Sequence, residues 1–131
     1  MKFRSLVPEL LVSDFSESID FYTRALPFRI EYSRKGPDFA FLSLGDAQIM
    51  IQQRNGKWET GNLEKPFGRG INLQIEVDSV QRLVSSLEKN GHKLFLPPRK
   101  NEYKAGEKTV VCRELLVQDP DGYLLRFSEI I

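Results

Sequence analysis

The order of apolar and polar positions predicts a helix followed by three strands in the first half of the chain. Residues 6–12 read as a strand, and Asp14 with Glu17 three residues later forms a capping-box pattern that begins a helix. Pro27 ends this helix because its ring cannot continue the hydrogen-bond ladder. The apolar residues of this helix recur at helical spacing, at Phe15, Ile19, Tyr22 and Leu26. Strands follow at 28–33, 39–44 and 48–53, separated by the turns Gly36-Pro37 and Gly45-Asp46.

The second half repeats this order. Residues 71–77 predict a strand, and Asp78 with Gln81 repeats the cap pattern before a helix that ends at Asn90-Gly91. The apolar positions of this helix are Val80, Leu83, Val84 and Leu87. Further strands are predicted at 93–96, 109–117 and 123–130, the last of them after the turn sequence Asp-Pro-Asp-Gly at 119–122.

Each half therefore has the order β-α-β-β-β, which is a duplication of architecture rather than of sequence. We expect one α+β domain over 1–131, with one module at about 1–53, a linker at about 54–69 and a second module at about 70–131.

Composition restricts the possible partners and the location. The chain has 19 basic and 18 acidic residues, for a formal charge of +1, so we expect neither nucleic acid nor a membrane as partner. No signal-type core or bilayer-length apolar run occurs, so a cytoplasmic location is the default expectation. Cys112 is the single cysteine, which predicts a small core residue and excludes a disulfide framework.

Three segments carry a resemblance to a known family: VPELLVSD at 7–14, SIDFY at 18–22 and RELLVQDPDG at 113–122. Together they resemble the glyoxalase/bleomycin-resistance/extradiol-dioxygenase superfamily, also called vicinal oxygen chelate, and its bleomycin-resistance branch most closely. Pro27 departs from a Leu-Gly-Phe sequence that is common in the family. The resemblance implies paired β-α-β-β-β modules whose curled mixed sheets surround a central cavity, often completed across a homodimer.

Metal-dependent members of that family supply His, Glu or Gln from four strand positions. The resemblance aligns these positions with Val7, Met50, Asn72 and Arg126. An aliphatic side chain, a thioether, a neutral amide and a permanent cation do not provide the oxygen and imidazole donors that a divalent ion needs, and Arg126 would repel it. We therefore expect no metal and no other cofactor. His92, the only histidine, follows Asn90-Gly91 and is predicted to lie in a surface turn.

Strand alternation provides an independent set of candidate binding residues. In 71–77, the row Ile71, Leu73, Ile75 and Val77 is predicted to pack under the helices, so the other row faces the cavity. Applied to the other strands, the same alternation selects a mixed polar and apolar lining: Val7, Glu9, Phe41, Met50, Gln52, Asn72, Gln74, Glu76, Leu124 and Arg126. Such a mixture suits a small-molecule pocket, although an antiparallel sheet with a polar face turned to water has the same pattern.

Arg126 offers the forked donors that bind a carboxylate or phosphate, so one hypothesis is an anionic ligand. The alternative is an internal ion pair with Glu9, Glu76 or Glu114.

Two loops are placed to close the cavity, at 54–70 and at 98–108. Trp58 in the first and Tyr103 in the second are candidates to stack on a ligand or to seal a dimer contact. The alternative for Trp58 is an anchor that pins the linker.

The sequence contains no nucleophile motif and no phosphate-binding glycine loop, and a general base would have to be Glu9, Glu76, Glu114 or Tyr103. We predict metal-independent binding or sequestration of a small organic molecule, anionic or drug-like, by a homodimer. The alternatives are a metal-dependent or acid/base lyase, isomerase or dioxygenase of the same superfamily, and an interaction or regulatory module without catalysis.

Overall fold

A computed structural model describes all 131 residues and contains two four-stranded mixed sheets. Sheet A has the strand order β1-β4-β3-β2 and is formed by β1 (Glu9–Val12), β2 (Arg29–Arg34), β3 (Phe39–Leu44) and β4 (Ala47–Gln53). Sheet B has the order β5-β8-β7-β6 and is formed by β5 (Asn72–Glu76), β6 (Leu96–Ala105), β7 (Lys108–Gln118) and β8 (Leu124–Ile130). In each sheet one edge pair is parallel and the other two pairs are antiparallel. The sheets are curled but not closed, and the predicted α+β class is confirmed.

The first helix begins where the cap pattern predicts. α1 (Phe15–Asp20) follows Asp14, whose carboxylate accepts a hydrogen bond from the backbone N–H of Glu17 at 3.1 Å. It continues as a π-helical turn, Phe21–Ala25, and the chain becomes extended at Leu26 before Pro27.

The cap of the second helix lies one residue later than predicted. α2 (Val80–Lys89) follows Ser79, whose hydroxyl accepts from the N–H of Arg82 at 3.3 Å, so Asp78 is not the cap. Both residue types can cap a helix, and the extended backbone of Ser79 places Val80 at the first helical position.

The sixth strand shows the largest difference from the prediction. The sequence predicted a strand at 93–96 and a loop at 98–108, but β6 covers Leu96–Ala105 and forms a hairpin with β7. β6 has no row of apolar side chains on either face. It is an edge strand, and most of its residues are exposed to solvent. Tyr103 therefore lies on a strand rather than in a loop.

Two smaller predictions were also wrong. Ile71 lies outside β5 and is exposed, so the row under the helices is limited to Leu73, Ile75 and Val77. His92 is half-buried, with its ring 4.9 Å from that of Phe21, because the turn after α2 folds the chain back onto the helices. Cys112 is buried, as predicted.

One hydrophobic core joins the two sheets and the helices. It includes side chains from both halves of the chain, such as Val12, Phe21, Ile51, Leu87 and Phe127. No helix is long and apolar enough to cross a membrane.

A buried polar cluster lies where the turn at 119–122 meets the first half of the chain. The Asp119 carboxylate is 4% exposed and accepts hydrogen bonds from the Tyr22 hydroxyl (2.8 Å) and from the N–H groups of Asp121 (3.0 Å) and Tyr123 (2.9 Å). Burial outweighs these bonds and raises the pKa of Asp119 to about 6. Asp121 in turn accepts from the backbone N–H of Ser13 at 3.0 Å and from its hydroxyl. The cluster therefore ties the last β-turn to the end of β1.

Candidate functional site

The open face of sheet B holds a cavity of about 250 Å³ between its four strands. The structure brings together five residues from the predicted set in this cavity: Gln74, Glu76, Tyr103, Glu114 and Arg126. They come from all four strands of the sheet.

Glu114 is the centre of this site. It is 2% exposed, and its Oε1 accepts hydrogen bonds from the Asn101 side-chain amide (2.8 Å) and from the Tyr103 hydroxyl. Its Oε2 lies 3.4 Å from Nε of Arg126. A buried carboxylate needs such partners, and here each comes from a neighbouring strand. The hydrogen bond to Glu114 also raises the pKa of Tyr103, because it favours the protonated phenol.

Arg126 forms the internal ion pair that the sequence left as an alternative, and Glu114 is its partner. Its Nη2 also donates to the side-chain oxygen of Gln74, which lies opposite Arg126 on β5. Part of the guanidinium is thus engaged within the protein, so Arg126 alone does not argue for an anionic ligand.

Strand register places two carboxylates in one row across the sheet. Glu76 on β5 lies opposite Ser128 on β8, and Ser128 lies opposite Glu114 on β7. Glu76 is exposed and forms no ion pair or side-chain hydrogen bond. Its carboxylate is therefore available to a ligand.

Sequence reasoning missed three lining residues, Val110, Cys112 and Ile130, whereas it placed Ser128 in the same row as Leu124 and Arg126. Strand alternation could have identified these residues. Residues 110, 112 and 114 share one face of β7, and residues 126, 128 and 130 share one face of β8. Cys112 was assigned to the core alone, but it is both buried and part of the cavity wall.

Other predicted residues lie outside this cavity. Glu9 and Leu124 line a second cavity of about 210 Å³ beside β1 and β5. Asn72 lies opposite Leu124, and Met50 lies opposite Glu9 on β4. Val7 is half-buried just before β1.

The open face of sheet A is covered by an aromatic cluster. Phe41 is buried, with its ring stacked 5.3 Å from Tyr32 and edge-on to Phe3 at 5.4 Å. Gln52 lies opposite Phe39 on the same face. Phe3 is held over the sheet because Gln48 bonds both the N–H of Arg4 (2.8 Å) and the carbonyl oxygen of Lys2 (2.7 Å).

Trp58 does not pin the linker, so that alternative was wrong. Its side chain is 78% exposed, and its backbone has a φ of +62°. The turn that presents it is held by Glu59, which pairs with Arg54 at 2.6 Å and accepts from the N–H of Gly56 at 3.1 Å. Phe67, which is buried and lies edge-on to Tyr123 at 5.9 Å, is the aromatic anchor of this segment.

The residues that the resemblance aligns with the family's four metal positions do not fit a divalent ion. Val7 and Met50 have no suitable donor, Asn72 is an exposed neutral amide, and Arg126 is a cation paired with Glu114. The structure contains no group of three or more His, Cys, Asp or Glu side chains arranged to hold a metal.

A larger cavity, of about 550 Å³, lies between the start of α2 and residues 23–27 and 44–45. Of the predicted residues it contains only Glu76, and its other charged residues, Arg24, Asp78 and Arg82, are exposed. The first N–H of α2, that of Val80, is already bonded to the Glu129 carboxylate at 3.0 Å. The cavity of sheet B, with its buried charged network, is the stronger candidate.

Comparisons with known proteins agree with this fold. The family model described as Glyoxalase/Bleomycin resistance protein/Dioxygenase superfamily matches residues 5–127. A lactoylglutathione lyase of Escherichia coli O157:H7 is 26% identical, over 96% of this chain and 92% of that protein.

Solved structures show the same architecture. A glyoxylase/bleomycin resistance protein/dioxygenase domain from Frankia sp. EAN1pec has a TM-score of 0.73 and 21% identity, covering 100% of this chain and 93% of that one. The fosfomycin resistance protein FosX from Listeria monocytogenes has a TM-score of 0.67 and 15% identity, covering 98% of this chain and 94% of that one. With the two sheets and the family match over almost its whole length, the chain belongs to the glyoxalase/bleomycin resistance protein/dioxygenase superfamily.

Proposed function

We propose that the protein binds a small organic molecule in the cavity of sheet B and that this binding needs no metal, as in the bleomycin-resistance branch that the sequence resembles. The observation that carries the proposal is the network around Glu114, which holds Tyr103, Asn101 and Arg126 in place before any ligand arrives. Groups that are already ordered lose little conformational entropy on binding, which favours affinity.

The same network supports binding rather than acid/base chemistry. Oε1 of Glu114 accepts two hydrogen bonds, and its Oε2 faces the guanidinium of Arg126, so three protein side chains already engage the carboxylate. A general base must be free to accept a substrate proton, and an ion pair with Arg126 makes Glu114 a weaker base.

A homodimer is part of this proposal. Exposed large apolar side chains occur on the open faces of both sheets, with Phe3 and Tyr32 on sheet A and Tyr103 and Ile130 on sheet B. Covering such groups stabilises an association between copies. Light scattering on the purified protein tests this directly, and a monomer at micromolar concentration would contradict it.

The site itself is tested with a pair of adjacent substitutions on β7. Val110 lines the cavity, whereas Thr109 is exposed and alternates onto the other face. Val110→Trp should fill the cavity and abolish binding of compounds found in a thermal-shift screen, while Thr109→Trp should leave their dissociation constants within about twofold of those of the unsubstituted protein.

The screen is run with EDTA present, so that metal-independence is tested at the same time. Compounds that bind only after a divalent metal is restored would overturn the metal-free reading. Compounds that bind the Val110→Trp and Thr109→Trp variants equally would show that the cavity of sheet B is not the site.

A further inference from the structure

We infer, on the basis of the proposed site, that the cavity of sheet B selects a compact organic cation, such as an amine or amidine attached to one ring, and discriminates against anions. From the sequence, Arg126 suggested an anionic ligand as one hypothesis, with an internal ion pair as the alternative.

The charges that line the cavity do not balance. Glu76 and Glu114 contribute two carboxylates, and Arg126 is the single cation in the lining. The guanidinium is paired with Glu114, at 3.4 Å between Nε and Oε2, and its Nη2 is bonded to Gln74. One negative charge, that of Glu76, is left without a partner.

No other cation of the sheet compensates for it. Arg99 lies opposite Glu114 on the edge strand β6, but it is exposed and does not line the cavity. Glu76 also lines the larger cavity together with Arg24 and Arg82, but neither arginine forms an ion pair with it, and Arg24 pairs with Asp20. The exposed Glu76 carboxylate is therefore the uncompensated charge of the cavity of sheet B. A ligand cation beside it is attracted, and a ligand anion is repelled.

Two further groups suit a cation. Tyr103 lines the cavity with its hydroxyl tied to Glu114, so the phenol is not free to donate to a ligand anion. Its ring is available for a cation–π contact. Ser128 lies between Glu76 and Glu114 in the strand row, and its hydroxyl oxygen can accept a hydrogen bond from a ligand ammonium or amidinium group.

The size of the cavity limits the rest of the ligand. A volume of about 250 Å³ is below the range of about 300–1,000 Å³ that is usual for drug-sized molecules. Val110, Cys112 and Ile130 supply the apolar part of the wall. One ring with a charged substituent matches this combination.

Benzamidine, benzamide and benzoate test the inference because they have nearly the same shape and carry a positive, zero and negative charge. Dissociation constants are measured by titration of amide signals in two-dimensional NMR, at neutral pH and at low and high salt. We expect benzamidine to bind at least about tenfold more tightly than benzoate, with shifts concentrated on β5, β7 and β8 and with a smaller ratio at high salt.

Two variants separate the role of Glu76 from a general effect of charge. Glu76→Gln should reduce the ratio of the benzoate to the benzamidine dissociation constant to within about threefold of unity. Glu102→Gln is the matched control, because Glu102 is an exposed carboxylate of the same sheet that alternates onto the other face of β6. It should keep the full ratio.

The outcomes distinguish this inference from the proposed function. Tighter binding of benzoate, or a ratio that survives in Glu76→Gln, overturns the charge assignment while leaving a small-molecule site in place. If none of the three probes shifts the signals of the cavity residues, the charge assignment fails. If the compounds from the thermal-shift screen do not shift these signals either, the proposed site fails as well.

Discussion

Replacing Asp119 with asparagine tests the energetics of the buried polar cluster. Asp119 lies among Tyr22, Asp121 and Tyr123, and its pKa is raised from 3.8 to about 6, chiefly by burial. Because the folded state favours the neutral acid, the stabilisation from this group is fully present below about pH 4 and is lost as the pH rises through about 6. A shift of this size corresponds to about 3 kcal/mol of unfolding free energy.

Asparagine does not ionise, and its amide oxygen can still accept from the N–H groups of Asp121 and Tyr123. We therefore expect the stability of Asp119→Asn relative to the unsubstituted protein to increase by about 3 kcal/mol between about pH 3 and about pH 7. Urea unfolding at fixed protein concentration and ionic strength measures this difference, in which the titration of all other groups largely cancels.

Asp38→Asn is the control, because Asp38 is exposed and its carboxylate makes no hydrogen bond or ion pair. Its stability difference should stay flat across the same pH range. The reasoning would be refuted if the unfolding free energy of Asp119→Asn, relative to the unsubstituted protein, did not change with pH. It would also be refuted if that relative free energy increased as the pH fell. The second result would mean that the three hydrogen bonds to the carboxylate outweigh the cost of burying it.

Two further changes probe the turn and the site. Gly122→Ala should lower the unfolding free energy by about 3 kcal/mol or more, since φ is +99° and a Cβ would lie 2.5 Å from Cα of Pro66. Gly91→Ala, at φ +78° with open space around it, should cost only about 1 kcal/mol; equal losses in urea unfolding would contradict this account. Arg126→Gln should cost about 1–3 kcal/mol at neutral pH because the buried Glu114 carboxylate loses its cation. Adding Glu114→Gln should recover much of that loss, and a double variant less stable than the single one would argue against the ion pair.

Much of the fold was predictable because its central elements carry strong local signals. The strand predicted at 39–44 has the same limits as β3, since its apolar run is buried on both faces. The cap at Asp14 also formed as predicted. β6 was not predictable in this way, because its residues are mostly solvent-exposed and its strand form depends on pairing with β7, which is not a local property.

The site was predictable only in part, for a similar reason. Period-2 alternation assigns Gln74 and Arg126 to one face of their strands, but it does not show which glutamate Arg126 meets. That choice depends on the strand order, which puts β7 beside β8 and so brings Glu114 within reach, while Glu9 lies on the other sheet. Trp58 and Phe67 likewise look equivalent in a polar linker, and only the packing of Phe67 against Tyr123 distinguishes the anchor from the exposed ring.

Arg126 links the charge of the cavity to its poor fit for a divalent ion. At this position a cation excludes a divalent ion, and the same cation is what the buried Glu114 requires. The cavity of sheet B is thus organised around the ion pair of Arg126 and Glu114, and of the two carboxylates in its lining only Glu76 has no partner within the protein.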